Sequence, residues 1–193
     1  MPTKPSAIPD LYYAIFAWYE PFLCLAGFLG AFLDPKKVLS VILARSSDDK
    51  FLSIQTHDEQ APWPSDYIPS EPLPLATFVT IMQLAHVCAL LGVVNFFVLR
   101  TARKYLSSQP ALQEKVVGAL LTPLVIGDVS HLYVTFWALG DQKWNVRRWS
   151  SMVWTTLTLG LSLMIPRVFW HLGVGRYVHA RDAAAMSSLP QKH

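Results

Sequence analysis

Four stretches of this chain, roughly 11–33, 75–99, 116–139 and 152–172, are apolar for long enough to cross about 30 Å of hydrocarbon at ~1.5 Å per residue. Few folds are open to such a chain. In lipid every backbone amide must find its partner inside its own segment or in a closed barrel, so runs of this length are expected to be helices. The fold class read from the sequence is therefore all-α: an integral membrane four-helix bundle with both termini on one side and one long extramembrane loop. Composition agrees, with 52 % hydrophobic and only 15 % charged residues, against about a quarter charged in an average soluble domain. Mean hydropathy is +0.32.

Other classes drop out. The net charge of +3 is spread along the chain and not gathered into a basic stripe with interleaved aromatics, so no nucleic-acid partner is expected. Cys24 and Cys88 sit inside apolar runs, without CxxC or Cys/His spacing, and give neither a disulfide framework nor a zinc site. The run after "MPTKPSAIPD" is too long for a signal-peptide core and lacks an A-x-A site, so it reads as a retained span. There is no GxSxG, P-loop, HExxH or GxGxxG in a strand-turn-helix context, and neither metal nor cofactor is expected.

Each span has punctuation at its end: "DPKK", "RTARK", "GDQKWNVRRW" and "GVGR". Trp144 and Trp149 suit an interfacial belt, as does Trp63 if its loop folds back on the membrane. The connection 34–74 is rich in Pro, Ser, Asp and Glu and reads as a lid or an unstructured loop, with His57 on a solvated face. Residues 1–10 and 176–193 read as tails. Lys and Arg are nearly balanced across the two sides, and the acidic long loop tips the reading towards cytoplasmic termini.

The informative residues are the polar ones inside the spans, because an ionisable group at membrane depth costs at least ~2.5 kcal/mol and usually faces the bundle interior. The first span holds Glu20, the second Gln83 and His86, the third Asp128, Ser130 and His131, and the fourth Arg167 and His171. Counting rise per residue puts Glu20, His86 and Asp128 near one plane, and Arg167 and His171 near the face of the termini, where a long side chain can snorkel. Asp128 and His131 are spaced i, i+3 with Thr135 a turn further on; Gln83 and His86 repeat the spacing; Tyr13 lies two turns before Glu20 on the same stripe. Pro21, directly after Glu20, is expected to kink the first span and widen a pocket.

A carboxyl group in hydrocarbon resists ionisation and can act as a general acid near neutral pH, while a carboxylate beside an imidazole makes a base. That pairing suits epoxide opening: Glu20 as acid and Asp128 with His131 activating water, or the two roles exchanged, with Tyr13, Gln83, His86 and Thr135 lining the substrate site. The same groups suit a sterol-type double-bond isomerase. A helix-orienting polar pair in a non-catalytic lipid-binding or scaffold protein is the plainer alternative.

The stretches "IPDLYYAIFAWYEP", "IGDVSHLYVTFWALG", "WNVRRWSSMVW" and "PRVFWHLGVG" resemble the pattern of small four-span fungal membrane proteins of secondary-metabolite clusters, over most of the chain except the long loop and the tail. This family is similar to the polyene epoxide hydrolases of aurovertin-, citreoviridin- and asteltoxin-type pathways. The resemblance implies an epoxide hydrolase or cyclase acting on a polyene polyketide or terpenoid, with a flavin monooxygenase that supplies the epoxide. The membrane expected for such a multi-pass protein is the endoplasmic reticulum. Its motifs carry over to Glu20, Asp128 and His131 alone.

Overall fold

The computed structural model describes residues 6–33 and 75–187. Its elements are α1 (Asp10–Ala14), a π-helical turn (Ile15–Tyr19), α2 (Glu20–Leu33), α3 (Leu75–Tyr105), α4 (Pro110–Ala138), α5 (Ser151–His171) and α6 (His179–Ser187), with two 3-10 turns, Gly140–Trp144 and Val146–Arg148, between α4 and α5. No strand occurs among the described residues. Four segments, Asp10–Phe32, Phe78–Tyr105, Pro110–Ala138 and Val153–His171, are long and apolar enough to cross a bilayer. The protein is thus all-α and a multi-pass membrane protein. The connection 34–74, with His57 and Trp63, lies outside the described residues.

Two helices run further than the apolar stretches alone. α3 continues through Arg100, Arg103 and Lys104 to Tyr105, since Arg and Lys are good helix formers whose stems lie along apolar surface while their heads reach headgroups. α4 opens at Pro110, a residue whose fixed φ suits a first helical position and whose missing N–H is not needed there.

The first span is not one uniform helix. A π turn adds a residue to the turn it occupies, so the face before it is rotated relative to the face after it. The buried positions are accordingly Tyr12, Phe16, Ala17 and Glu20. An uninterrupted α-helix would align Tyr13 with Glu20; the π turn hands that stripe to Tyr12. Pro21 follows directly and cannot donate to the Ala17 carbonyl.

Outside the bundle there is lipid, so apolar burial does not favour helix contacts as it would in water; close packing and polar links do. α2 packs most extensively on α3, and α4 on α5. Gly92 makes the first of these possible, since a Cβ there would lie 2.9 Å from Cys24 Cβ and 3.1 Å from the Pro21 backbone. A buried cluster of Ile8, Phe16, Leu99, Leu121 and Trp170 fills the end of the bundle nearest the termini. The perimeter is apolar and open, with Trp137 and Tyr133 72 % and 69 % exposed. So wide an apolar surface belongs against acyl chains.

Residues read as tails are built into the terminal end. Gln113 accepts from Ser6 Oγ and from the Ala7 N–H (2.9 Å) and donates to the Ala102 carbonyl. Trp170 Nε1 donates to the Ala7 carbonyl (2.8 Å). Arg176 is buried, lies over the Trp170 ring (3.9 Å), and donates to Glu114 and to the carbonyls of Trp170 and Tyr177. The "GVGR" segment closes α5: Gly173, at φ 74°, donates to the Trp170 carbonyl and Val174 to that of Phe169, the paired bonds of a left-handed C-terminal cap.

Candidate functional site

Arg167 is where the bundle's charges meet. It follows Pro166 in α5, and its side chain, 1 % exposed, bonds through Nη1 to Asp128 of α4 and through Nη2 to Glu20 at the start of α2. Glu20 is 6 % and Asp128 16 % exposed. One guanidinium thereby joins three of the four spans. The Phe16 ring lies under it at 5.8 Å.

Depth counting places Arg167 at the headgroups, and the structure corrects this. A long side chain can bend into the bundle as readily as out of it. Two carboxylates at one level, which are costly in hydrocarbon without a counter-ion, decide the direction.

The cluster is not saturated. Glu20 Oε2 and Arg167 Nε have no hydrogen-bond partner among the described residues, nor does either side-chain atom of Asn95, which is buried beside Glu20. Asn95 escapes the sequence reading. Its signal is its place on the α3 stripe Gly92, Asn95, Leu99, Ala102, all buried, because a polar residue in line with a packing glycine points into the bundle.

The other expected site residues lie elsewhere. Asp128 turns to Arg167 and not to His131, which is exposed on α4 and flanks Gly160 of α5. Although i, i+3 residues share a face, the guanidinium on α5 outcompetes the imidazole for the carboxylate. Thr135 donates to the His131 carbonyl of its own helix (2.8 Å). Tyr13 lies under the Arg103 guanidinium at 4.3 Å, rotated away from Glu20 by the π turn. Gln83 and His86 are exposed between the first and second spans, in a largely apolar groove of about 620 Å³ with Phe28, Phe32 and Phe78; the His86 ring meets the edge of Phe28. The structure therefore brings together Glu20 and Asp128, adds Arg167 and Asn95, and leaves Tyr13, Gln83, His86, His131 and Thr135 outside. Among the described residues no group of three or more His, Cys, Asp or Glu side chains is placed to hold a metal ion.

Residues 5–177 match the model of one family, described as a domain of unknown function, DUF7704. The chain belongs to that family. The match takes in all four spans and every residue of the Glu20, Asp128 and Arg167 cluster. No curated protein and no solved structure matches the chain.

Proposed function

We propose that this DUF7704 protein is a membrane-embedded enzyme that opens an epoxide on a polyene polyketide or terpenoid, by hydrolysis or cyclisation, with Glu20 and Asp128 as the acid–base pair. The observation that supports this reading is the buried guanidinium holding two carboxylates from different helices. With both ionised, the cluster carries one negative charge. A single proton on the pair makes it neutral, with one carboxyl ready as acid and the other as base, the two states epoxide opening requires at once.

In the step itself the protonated carboxyl gives its proton to the epoxide oxygen as the carbon–oxygen bond breaks. The other carboxylate takes a proton from the water, or from a hydroxyl of the substrate, whose oxygen forms the new bond to carbon. The product is a diol or a cyclic ether, and the proton has crossed from one carboxyl to the other. The Arg167 Nε–H and the Asn95 amide lie beside the pair without a hydrogen-bond partner among the described residues, suited to orient the substrate oxygen and the nucleophile. Arg167 takes the place that the sequence gives to His131. An apolar substrate fits a site reached through lipid, an upstream flavin monooxygenase is the class of enzyme that makes its epoxide, and the endoplasmic reticulum is the membrane proposed for both.

The test is conversion of a panel of polyene and terpenoid epoxides by the purified full chain in detergent, in isotopically labelled water. Wild type is expected to yield labelled diol or unlabelled cyclic ether, and Glu20→Gln and Asp128→Asn to lose about 10²-fold or more while eluting as folded protein. Equal turnover in both variants would make the cluster a fastener between helices. Conversion of a sterol alkene, with epoxides untouched, would replace hydrolysis by isomerisation; saturable lipid binding without turnover would make the protein a binder.

A further inference from the structure

A second polar feature lies where the first and second spans meet the headgroup layer. A cleft of about 510 Å³ is lined there by Asp10, Tyr13, Trp18, Arg100, Arg103 and Lys104. The three cations belong to the last turns of α3, at spacing i, i+3, i+4, and so share one face. Basic residues at a span end are ordinary in themselves. The partners of these three distinguish the place. Arg103 is engaged, bonded to Asp10 and stacked on Tyr13. Arg100 and Lys104 meet no carboxylate among the described residues; Arg100 lies over Phe96 at 5.7 Å and Lys104 over Tyr105 at 5.0 Å.

Counting Asp10 against the three cations leaves the cleft two charges positive. Its apolar side is Trp18, which is 55 % exposed and held in edge contact with Phe96. A headgroup-level pair of cations that meet no carboxylate among the described residues, beside an exposed indole, matches an amphiphile with an anionic head and an acyl tail, and a free anion would leave the indole wall unused.

We infer that the cleft between the first and second spans is a binding site for the phosphate headgroup of an anionic membrane lipid, held by Arg100 and Lys104 with its acyl chain along Trp18. The site stands apart from the Glu20, Asp128 and Arg167 cluster and is independent of the function proposed for it. Arg103 acts as a positioning residue, since its bond to Asp10 pins the start of the first span against α3 and shapes the cleft.

Native mass spectrometry of the full chain in detergent, titrated with phosphatidic acid and with phosphatidylcholine, tests this. Wild type is expected to prefer phosphatidic acid, with about fivefold lost for each of the two cations removed. Lys104→Gln, at an exposed position, guards against misfolding in the Arg100→Gln, Lys104→Gln double variant, and Arg147→Gln with Arg148→Gln on the opposite face is expected to leave the preference intact. Millimolar inorganic phosphate is expected not to displace the lipid. Three results would each overturn the site: equal binding of the two lipids by wild type, a preference unchanged in the Lys104 and double variants, or an equal loss from the opposite-face variant. Displacement by inorganic phosphate would reject the lipid and leave a free-phosphate site.

Discussion

Arg167 is the residue whose loss the bundle should feel most, because it is the shared counter-ion of carboxylates on two other helices. Arg167→Met leaves two carboxylates buried without a counter-ion and is expected to cost about 3–5 kcal/mol, the usual result of removing one partner of a buried pair. Removing all three charges, E20Q with D128N and R167M, is expected to recover most of that loss while leaving no acid–base pair. Equilibrium unfolding in mixed micelles measures both, and a triple variant no more stable than Arg167→Met would show that shape and not charge governs the site. Tyr12 offers a finer probe. Its hydroxyl donates to the Val174 carbonyl (2.7 Å), so Tyr12→Phe should destabilise by about 1 kcal/mol, and Tyr13→Phe by less.

Among the elements, the joint between α2 and α3 is the least forgiving. Gly92→Leu would drive a side chain into Cys24 and the Pro21 backbone and is expected to cost about 1–3 kcal/mol, read as a lower unfolding midpoint in the same micelles. α6 has a different vulnerability. The Arg181 guanidinium and the Val178 N–H together lower the Asp182 carboxyl to about 2 from an ordinary 3.8. A group depressed in the folded state contributes stability above its unfolded pKa and loses it as pH falls through the folded one. α6 should hold at pH 4 and above and fray between about pH 4 and pH 2, and Asp182→Asn should fray it at neutral pH, seen as faster amide exchange over residues 179–187.

These elements also show where the sequence could be read. The helical class and the spans followed from run length alone, because lipid leaves the backbone one way to satisfy itself. Glu20 and Asp128 were legible as inward-facing by the same cost argument. Their partner was not, since counting rise per residue gives the height of a Cα and not the direction in which a long side chain turns. Tyr13 was lost to the π turn, which moves a stripe by one residue without any mark in composition, and His131 to an arginine 36 positions further on that no local spacing foretells.

For the whole molecule, the polar links at the terminal end and the charge cluster at depth do the specifying that an apolar core performs in a soluble protein. The order of the linked residues along the chain has a consequence of its own. Glu20 and Asp128 are synthesised before Arg167, so during translation two acidic spans enter the membrane while their counter-ion is still to be made. A nascent chain stopped after Trp149 is therefore expected to present to quality-control machinery the carboxylates that Arg167 pairs in the finished protein. Pulse-chase measurement should find this truncated chain short-lived, and E20Q with D128N should lengthen its half-life. The last span would then act as the release signal for the others, making Arg167 a checkpoint of biogenesis.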